Sequence, residues 1–234
     1  MRSCGLKRPV HLNGCSNKGD TALVSELANK PRTKRRTASK AERKTQLIKA
    51  TIRSIAKHGL SVTTMSTVAK EAGLSQGIIN LHFQSKDRLL EETLRYVVDE
   101  YRRAWFKALD NCGDSAAEKL AALVQVDFDK QVCQRNKLAV WFAFWGESRS
   151  RPTYRQICAQ RDQEYRQVQS RLCAEIISEG GYSSNANHVA YGLTAMSEGL
   201  WLDLLLNPVD LTPEQAFEIS MAYLQDVFPQ HFGC

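Results

Sequence analysis

The chain has 234 residues, 43% hydrophobic and 24% charged, with a net charge of +7, a composition that fits one or two globular domains with a real core. Its apolar runs are broken by charge well short of the ~18 residues that a membrane-spanning helix needs, and its first residues lack the apolar stretch of a secretory signal. A cytoplasmic protein with no membrane partner is therefore expected. The seven cysteines (Cys4, Cys15, Cys112, Cys133, Cys158, Cys173 and Cys234) are odd in number and form no CxxC pair. They argue against a disulfide framework or a zinc site and read as small apolar fillers in a reducing compartment.

Charge is unevenly placed. Residues 1–107 carry 22 Lys+Arg against 9 Asp+Glu, whereas residues 108–234 carry 10 against 16. A basic first half suggests a part that meets a polyanion, although a solvated basic surface accounts for the composition equally well. Residues 1–38 have no sustained apolar period and read as a disordered extension. Its end, Lys30–Arg36, holds five basic residues in seven, so Lys34, Arg35 and Arg36 form an arm suited to tracking phosphates.

From Ser39 onward the signals are helical. Ser39 and Glu42 form a capping box, and Leu47, Ile48, Ile52 and Ile55 follow at helical spacing up to Gly59. Thr64 is placed to cap a short helix broken at Gly73, and Ser75 to cap the next one. A long helix is expected from Ser85 to Leu109, about 37 Å at 1.5 Å per residue. Ser115 and Glu118 make a second capping box, for a helix running to about Cys133. An aromatic helix is expected over residues 136–148. Another runs from Pro152 to Gly180-Gly181, then one over Asn185–Leu206. Thr212, Pro213 and Gln215 open the last, which reaches about Phe228. The expectation is an all-α protein of nine helices. An extension (1–38) precedes a first helical part that ends in the long helix (39–109) and a second helical part (110–234).

The segment over Thr64–Phe83 has the features of a helix-turn-helix. Ala69 and Gly73 supply a small residue at the helix crossing and a residue able to take the turn, with Val68, Leu74 and Ile79 behind them. Gln76 and Asn80, four apart, share a face, and amide side chains can bond two edge atoms of adenine in the major groove. Gly77 removes bulk between them. Thr64, Ser66, Ser75, His82 and Lys86 sit where phosphate contacts would position the helix without specifying sequence.

In the second half, Trp141, Phe142, Phe144 and Trp145 put four aromatics in five positions, more than one amphipathic face can bury. Tyr191, Ala195, Glu198, Trp201, Leu202 and Leu205 recur as one stripe on a later helix. Aromatic rings with one acid are what a quaternary ammonium ligand needs. The candidate ligand residues are Trp141, Phe144, Trp145, Tyr191, Glu198 and Trp201. The plainer reading makes the rings ordinary core and gives Glu198 an Arg partner or a place at a dimer surface.

The pattern from about Arg43 to Leu94 resembles the N-terminal domain of TetR-family repressors, through Thr64, Val68-Ala69, Ala72-Gly73-Leu74-Ser75, Gly77, Phe83, Lys86 and Leu89-Leu90. Leu81-His82-Phe83 departs from it, since that family carries an aromatic beside the histidine. The segments Lys137–Ser148 and Gly192–Leu202, with Gly77-Ile78-Ile79, are similar to the BetI-type subgroup, which controls choline-to-glycine-betaine genes and is relieved by choline. The resemblance implies a homodimeric repressor, with a DNA-binding domain and its linking helix over 39–109 and a helical-bundle domain for ligand binding and dimerisation over 110–234. Its two recognition helices would dock in successive major grooves of operator DNA, about 34–36 Å apart, and a small-molecule effector would release it. A different amine or an apolar ligand on the same scaffold stays open.

Two other classes compete. A sequence-neutral DNA architectural protein would use the basic arm alone. An enzyme would have to draw on His188 with Glu198, ten residues apart, or on Asp127 with Asp129, which point apart on a helix. No phosphate loop or nucleophile motif supports the enzyme, and no cofactor is called for.

Overall fold

Ser39, Thr64, Ser115 and Thr212 each make the capping box that starts a helix, and the computed structural model, which describes residues 39–233, contains ten helices and no strand among those residues. They are α1 (Lys40–His58), α2 (Met65–Glu71), α3 (Gln76–His82), α4 (Lys86–Asn111), α5 (Ala116–Asp127), α6 (Arg135–Glu147), α7 (Pro152–Gly180), α8 (Ala186–Leu206), α9 (Pro213–Val227) and α10 (Pro229–Phe232). The extension 1–38, its arm Lys34, Arg35 and Arg36, and Cys4, Cys15 and Cys234 lie outside the described residues.

The all-α expectation holds, with two corrections. Helix α5 stops at Asp127, not near Cys133. The reason is long-range: the Asp127 backbone carbonyl accepts from the Trp201 indole at 2.7 Å and from the Cys133 thiol at 3.0 Å, while Phe128 turns into the core. The count rises from nine to ten because Pro229 starts a further turn of helix after Phe228.

Helices α1–α3 form the head. The head core is Leu47, Ile48, Ile52, Ile55, Val68, Ala69, Ile79 and Phe83, with Leu89, Leu90 and Leu94 of α4 beneath it. Helix α1 packs against α2, α4 and α6. Two contacts fix the α1–α2 angle: Gln46 donates to the Ala72 carbonyl at 2.9 Å, and Arg53 pairs with Glu71 at 2.9 Å. Behind the head, α4 packs on α5 and α7, α5 on α7 and α9, and α6 and α7 on α8. Trp105, Trp141, Phe144, Tyr154 and Trp201 are fully buried there.

The α2–α3 turn depends on Gly73 at φ +66°. A β-branched residue in that region costs about 1–2 kcal/mol. Gly73→Val is therefore expected to lower stability by about that amount, read as a shifted denaturant midpoint, and to weaken DNA binding through the displaced α3.

Candidate functional site

The head presents α3 as its outer helix. Ile79 is fully buried and Ile78 half-buried, whereas Ser75, Gln76, Gly77, Asn80 and Leu81 face solvent. Gln76 and Asn80 thus stand side by side on one exposed face. Ser75 has extended backbone at the N-cap but makes no side-chain cap bond, so its hydroxyl is left to an outside acceptor. A Cβ on Gly77 would meet only the Ser75 hydroxyl, at an ordinary 3.8 Å. Among the described residues, packing does not require glycine there.

Thr64 and Ser66 are exposed at the start of α2, but the Thr64 hydroxyl is engaged in its capping box with Thr67. His82 is half-buried at the end of α3. The Lys86 ammonium donates to the Ser61 carbonyl at 3.0 Å, so it braces the α1–α2 loop as well as lying near the proposed phosphate path. Leu81, where an aromatic was missing, is 74% exposed beside Asn80.

The second site centres on two buried charged groups. Asp127, 1% exposed at the end of α5, accepts at Oδ1 from the hydroxyls of Tyr101 (2.5 Å) and Tyr165 (3.0 Å), and at Oδ2 from Ser197 (2.8 Å). Burial pushes its carboxyl up to about 6, against the opposing pull of these hydrogen bonds and of Arg161. Burial and then the neighbouring Asp127 hold both tyrosines well above their usual range.

Arg161 on α7 is 6% exposed. Its guanidinium carbon lies 4.6 Å from the Trp141 ring centre, 5.6 Å from Trp145 and 5.5 Å from Tyr101. The guanidinium pairs with Asp162 and approaches Glu198 at 3.7 Å. Burial works against its charge, but Asp162, Tyr101 and Glu198 more than offset that and raise its pKa. Burial raises Glu198 in turn, and so does Asp162. The result is a cation held by three aromatic faces and a ring of carboxylates, with only about 10 Å³ of free space beside it.

Of the expected ligand residues, Trp141, Trp145, Glu198 and Trp201 come together here. Trp201 does so through the Asp127 carbonyl and an edge-on contact with Tyr101 at 5.8 Å. Two do not join the box. Phe144 is fully buried but packs edge-on against Tyr154 at 4.9 Å. Tyr191 is 63% exposed on the outer face of α8, under Arg166, turned away from the buried stripe of Thr194, Ser197 and Trp201. The Arg partner weighed for Glu198 exists and is Arg161. Sequence reasoning missed Tyr101, Arg161, Asp162, Tyr165 and Ser197, and it met Asp127 only as a rejected catalytic acid. Among the described residues no group of three His, Cys, Asp or Glu side chains could hold a metal.

A raised carboxyl favours the fold most when protonated. Asp127 contributes fully below about pH 4, and that contribution is lost as pH rises through about 6. Asp127→Asn keeps an acceptor for both tyrosines. It is expected to flatten the decline in Tm from pH 4.5 to 7.5 by the equivalent of about 2 kcal/mol, measured by thermal unfolding across that range.

The chain is similar to known proteins in sequence and in fold. Residues 47–93 match the model for bacterial regulatory proteins of the tetR family, and residues 116–229 match that for the BetI-type transcriptional repressor C-terminal domain. The HTH-type transcriptional regulator BetI of Burkholderia mallei is 35% identical over 185 residues, covering 79% of this chain and 93% of its own length. BetI 2 of Chromohalobacter salexigens is 32% identical over 195 residues, 82% and 91%. A transcriptional regulator from Pseudomonas aeruginosa superposes with TM-score 0.73 at 29% identity, covering 83% of this chain and 94% of its own. One from Saccharomonospora viridis, solved in complex with choline, superposes with TM-score 0.71 at 22% identity, covering 79% and 96%. This chain belongs to the TetR family of DNA-binding transcriptional regulators and carries a BetI-type repressor C-terminal domain.

Proposed function

We propose that the protein is a homodimeric, cytoplasmic repressor of choline and glycine betaine metabolism genes, released from its operator by choline. The observation that carries the ligand is the aromatic box. Trp141, Trp145 and Tyr101 already surround a cation, with Asp127, Asp162 and Glu198 supplying negative charge. A quaternary ammonium donates no hydrogen bonds and is recognised by such ring faces and by diffuse negative charge. The choline complex of the S. viridis regulator, on the same fold, supports the reading.

Gln76 and Asn80 are the base readers in this reading, with Ser75, Thr64, Ser66 and His82 on phosphates. Leu81 offers an apolar surface for a thymine methyl in place of an aromatic phosphate contact. Dimerisation is assigned to α8 and α9. Tyr191, Ala195, Gly199, Leu202 and Leu206 form an exposed, mainly apolar stripe along α8, continued on α9 by Ile219 and Ala222. Contiguous apolar surface of this kind marks a protein interface, and two copies of one stripe form an isologous contact.

The signal has two short routes to the head. Helix α4 carries Tyr101 in the box and begins at Ser85, directly after α3. Helix α6 carries both tryptophans and packs on α1. Arg151, just before α7, is also tied to Asp87 in the first turn of α4 at 2.8 Å. The effector acts by favouring whichever head separation it binds better.

Three measurements test this. Choline titrated into an operator complex is expected to lower DNA affinity about tenfold or more, or ~1.4 kcal/mol, by fluorescence anisotropy; unchanged affinity at saturation removes choline as effector. Gln76→Ala with Asn80→Ala is expected to abolish preference for operator over bulk DNA while the mass in solution stays that of the dimer. Leu202→Glu is expected to yield monomers in light scattering and to lose operator binding with the fold intact.

A further inference from the structure

We propose that Arg161 is a built-in stand-in for the effector: its guanidinium fills the aromatic box when no ligand is bound, and a cationic ligand binds by exchanging with it. This rests on the reading of the box as the effector site. Arg161 sits on the buried stripe of α7, with Tyr154, Ile157, Cys158, Tyr165 and Leu172, where an apolar residue would pack at no electrostatic cost. A buried cation is expensive unless paired. Here its partners face it from four surrounding helices and its own: Tyr101 on α4, Asp127 on α5, Trp141 and Trp145 on α6, Glu198 on α8, and Asp162 beside it on α7. Those are the groups a quaternary ammonium would use. The ~10 Å³ left beside it is about what one water needs, so no ligand enters while the guanidinium stays.

The structure also offers the guanidinium a place to go. Arg161 borders a groove of about 300 Å³ between α4 and α7, where Arg95 and Arg102 face Asp99 and Glu164 and Arg102 already pairs with Glu164 at 2.6 Å. Its long, flexible stem can swing the head group from the box into this mixed-charge groove, where Asp99 is the carboxylate left to receive it. One cation leaves as another arrives, so the ring of acids around the box keeps its balance. A neutral or anionic ligand offers no such exchange. The device therefore selects for positive charge, and on ligand binding it moves the guanidinium from the Tyr101 ring towards Asp99 of the same helix, α4, which leads to the DNA head.

The test uses full-length Arg161→Ala and small cations. Tetramethylammonium is expected to bind Arg161→Ala about tenfold or more tighter than wild type by calorimetry. Millimolar methylguanidinium is expected to raise the Tm of Arg161→Ala but not of wild type, while equal sodium chloride raises neither. Trp145→Leu in the same background is expected to abolish both gains. If Arg161→Ala does not fold, Arg161→Met, which keeps an apolar stem in the box, enters the same assays. Neither cation binding the variant better than wild type overturns the stand-in. Operator release by choline from wild type without a gain in the variant leaves the effector reading intact and removes this one. A gain in the variant without choline release from wild type does the reverse.

Discussion

The second domain is organised around one buried carboxylate. Asp127 ends α5 and accepts hydrogen bonds from α4, α7 and α8 through Tyr101, Tyr165 and Ser197, while its backbone carbonyl takes the Trp201 indole. A carboxyl removed from water is costly unless it is fully bonded, so the four helices must come together in one arrangement or leave it unsatisfied. The same constraint sets the floor of the aromatic box, because Tyr101 both bonds Asp127 and faces Arg161. Packing and the aromatic box thus share their central residues, and in the proposed exchange a change of occupant would be felt by the contacts that hold the domain together.

The head is built on other terms. Its core is apolar apart from Thr51, Ser54 and Thr63, whose hydroxyls are satisfied locally, by the Leu47 and Gly59 carbonyls and by one another. Its outer helix keeps only Ile79 fully buried, so α3 depends on α2, Phe83 and the first turns of α4 for its placement.

Most helices were legible because their starts are local chemistry: the four capping boxes, Pro152 and Pro213 at first turns, and Gly59 and Gly181 at ends. The end of α5 was not, because the group that stops it, Trp201, lies 74 residues away. Gln76 and Asn80 were legible as a pair because four residues at about 100° each set them only about 40° apart on one face, and both are exposed while Ile79 is buried. The α8 stripe was drawn too wide. Tyr191 and Trp201 are ten residues apart, which at about 100° per residue separates them by about 80°, enough for one to be exposed and the other buried. The missed pair did leave a trace. Asp127 continues the apolar series Ala116, Leu120, Leu123, and Arg161 interrupts that of Tyr154, Cys158, Tyr165. A charged residue on a core stripe signals a buried polar site; which partners meet there is decided only by the tertiary packing.

The dimer proposed through the α8 stripe would have a consequence for dosage. A single α3 reaches few base edges, so two heads held by one interface would bind an operator far more tightly, and the energy of that interface would become part of the affinity for DNA. Where such a chain is scarce enough to be largely monomeric, operator occupancy rises with the square of its concentration. Repression would then set in over a narrow range of copy number, and a modest change in the synthesis or breakdown of the protein would move the promoter as the proposed effector does.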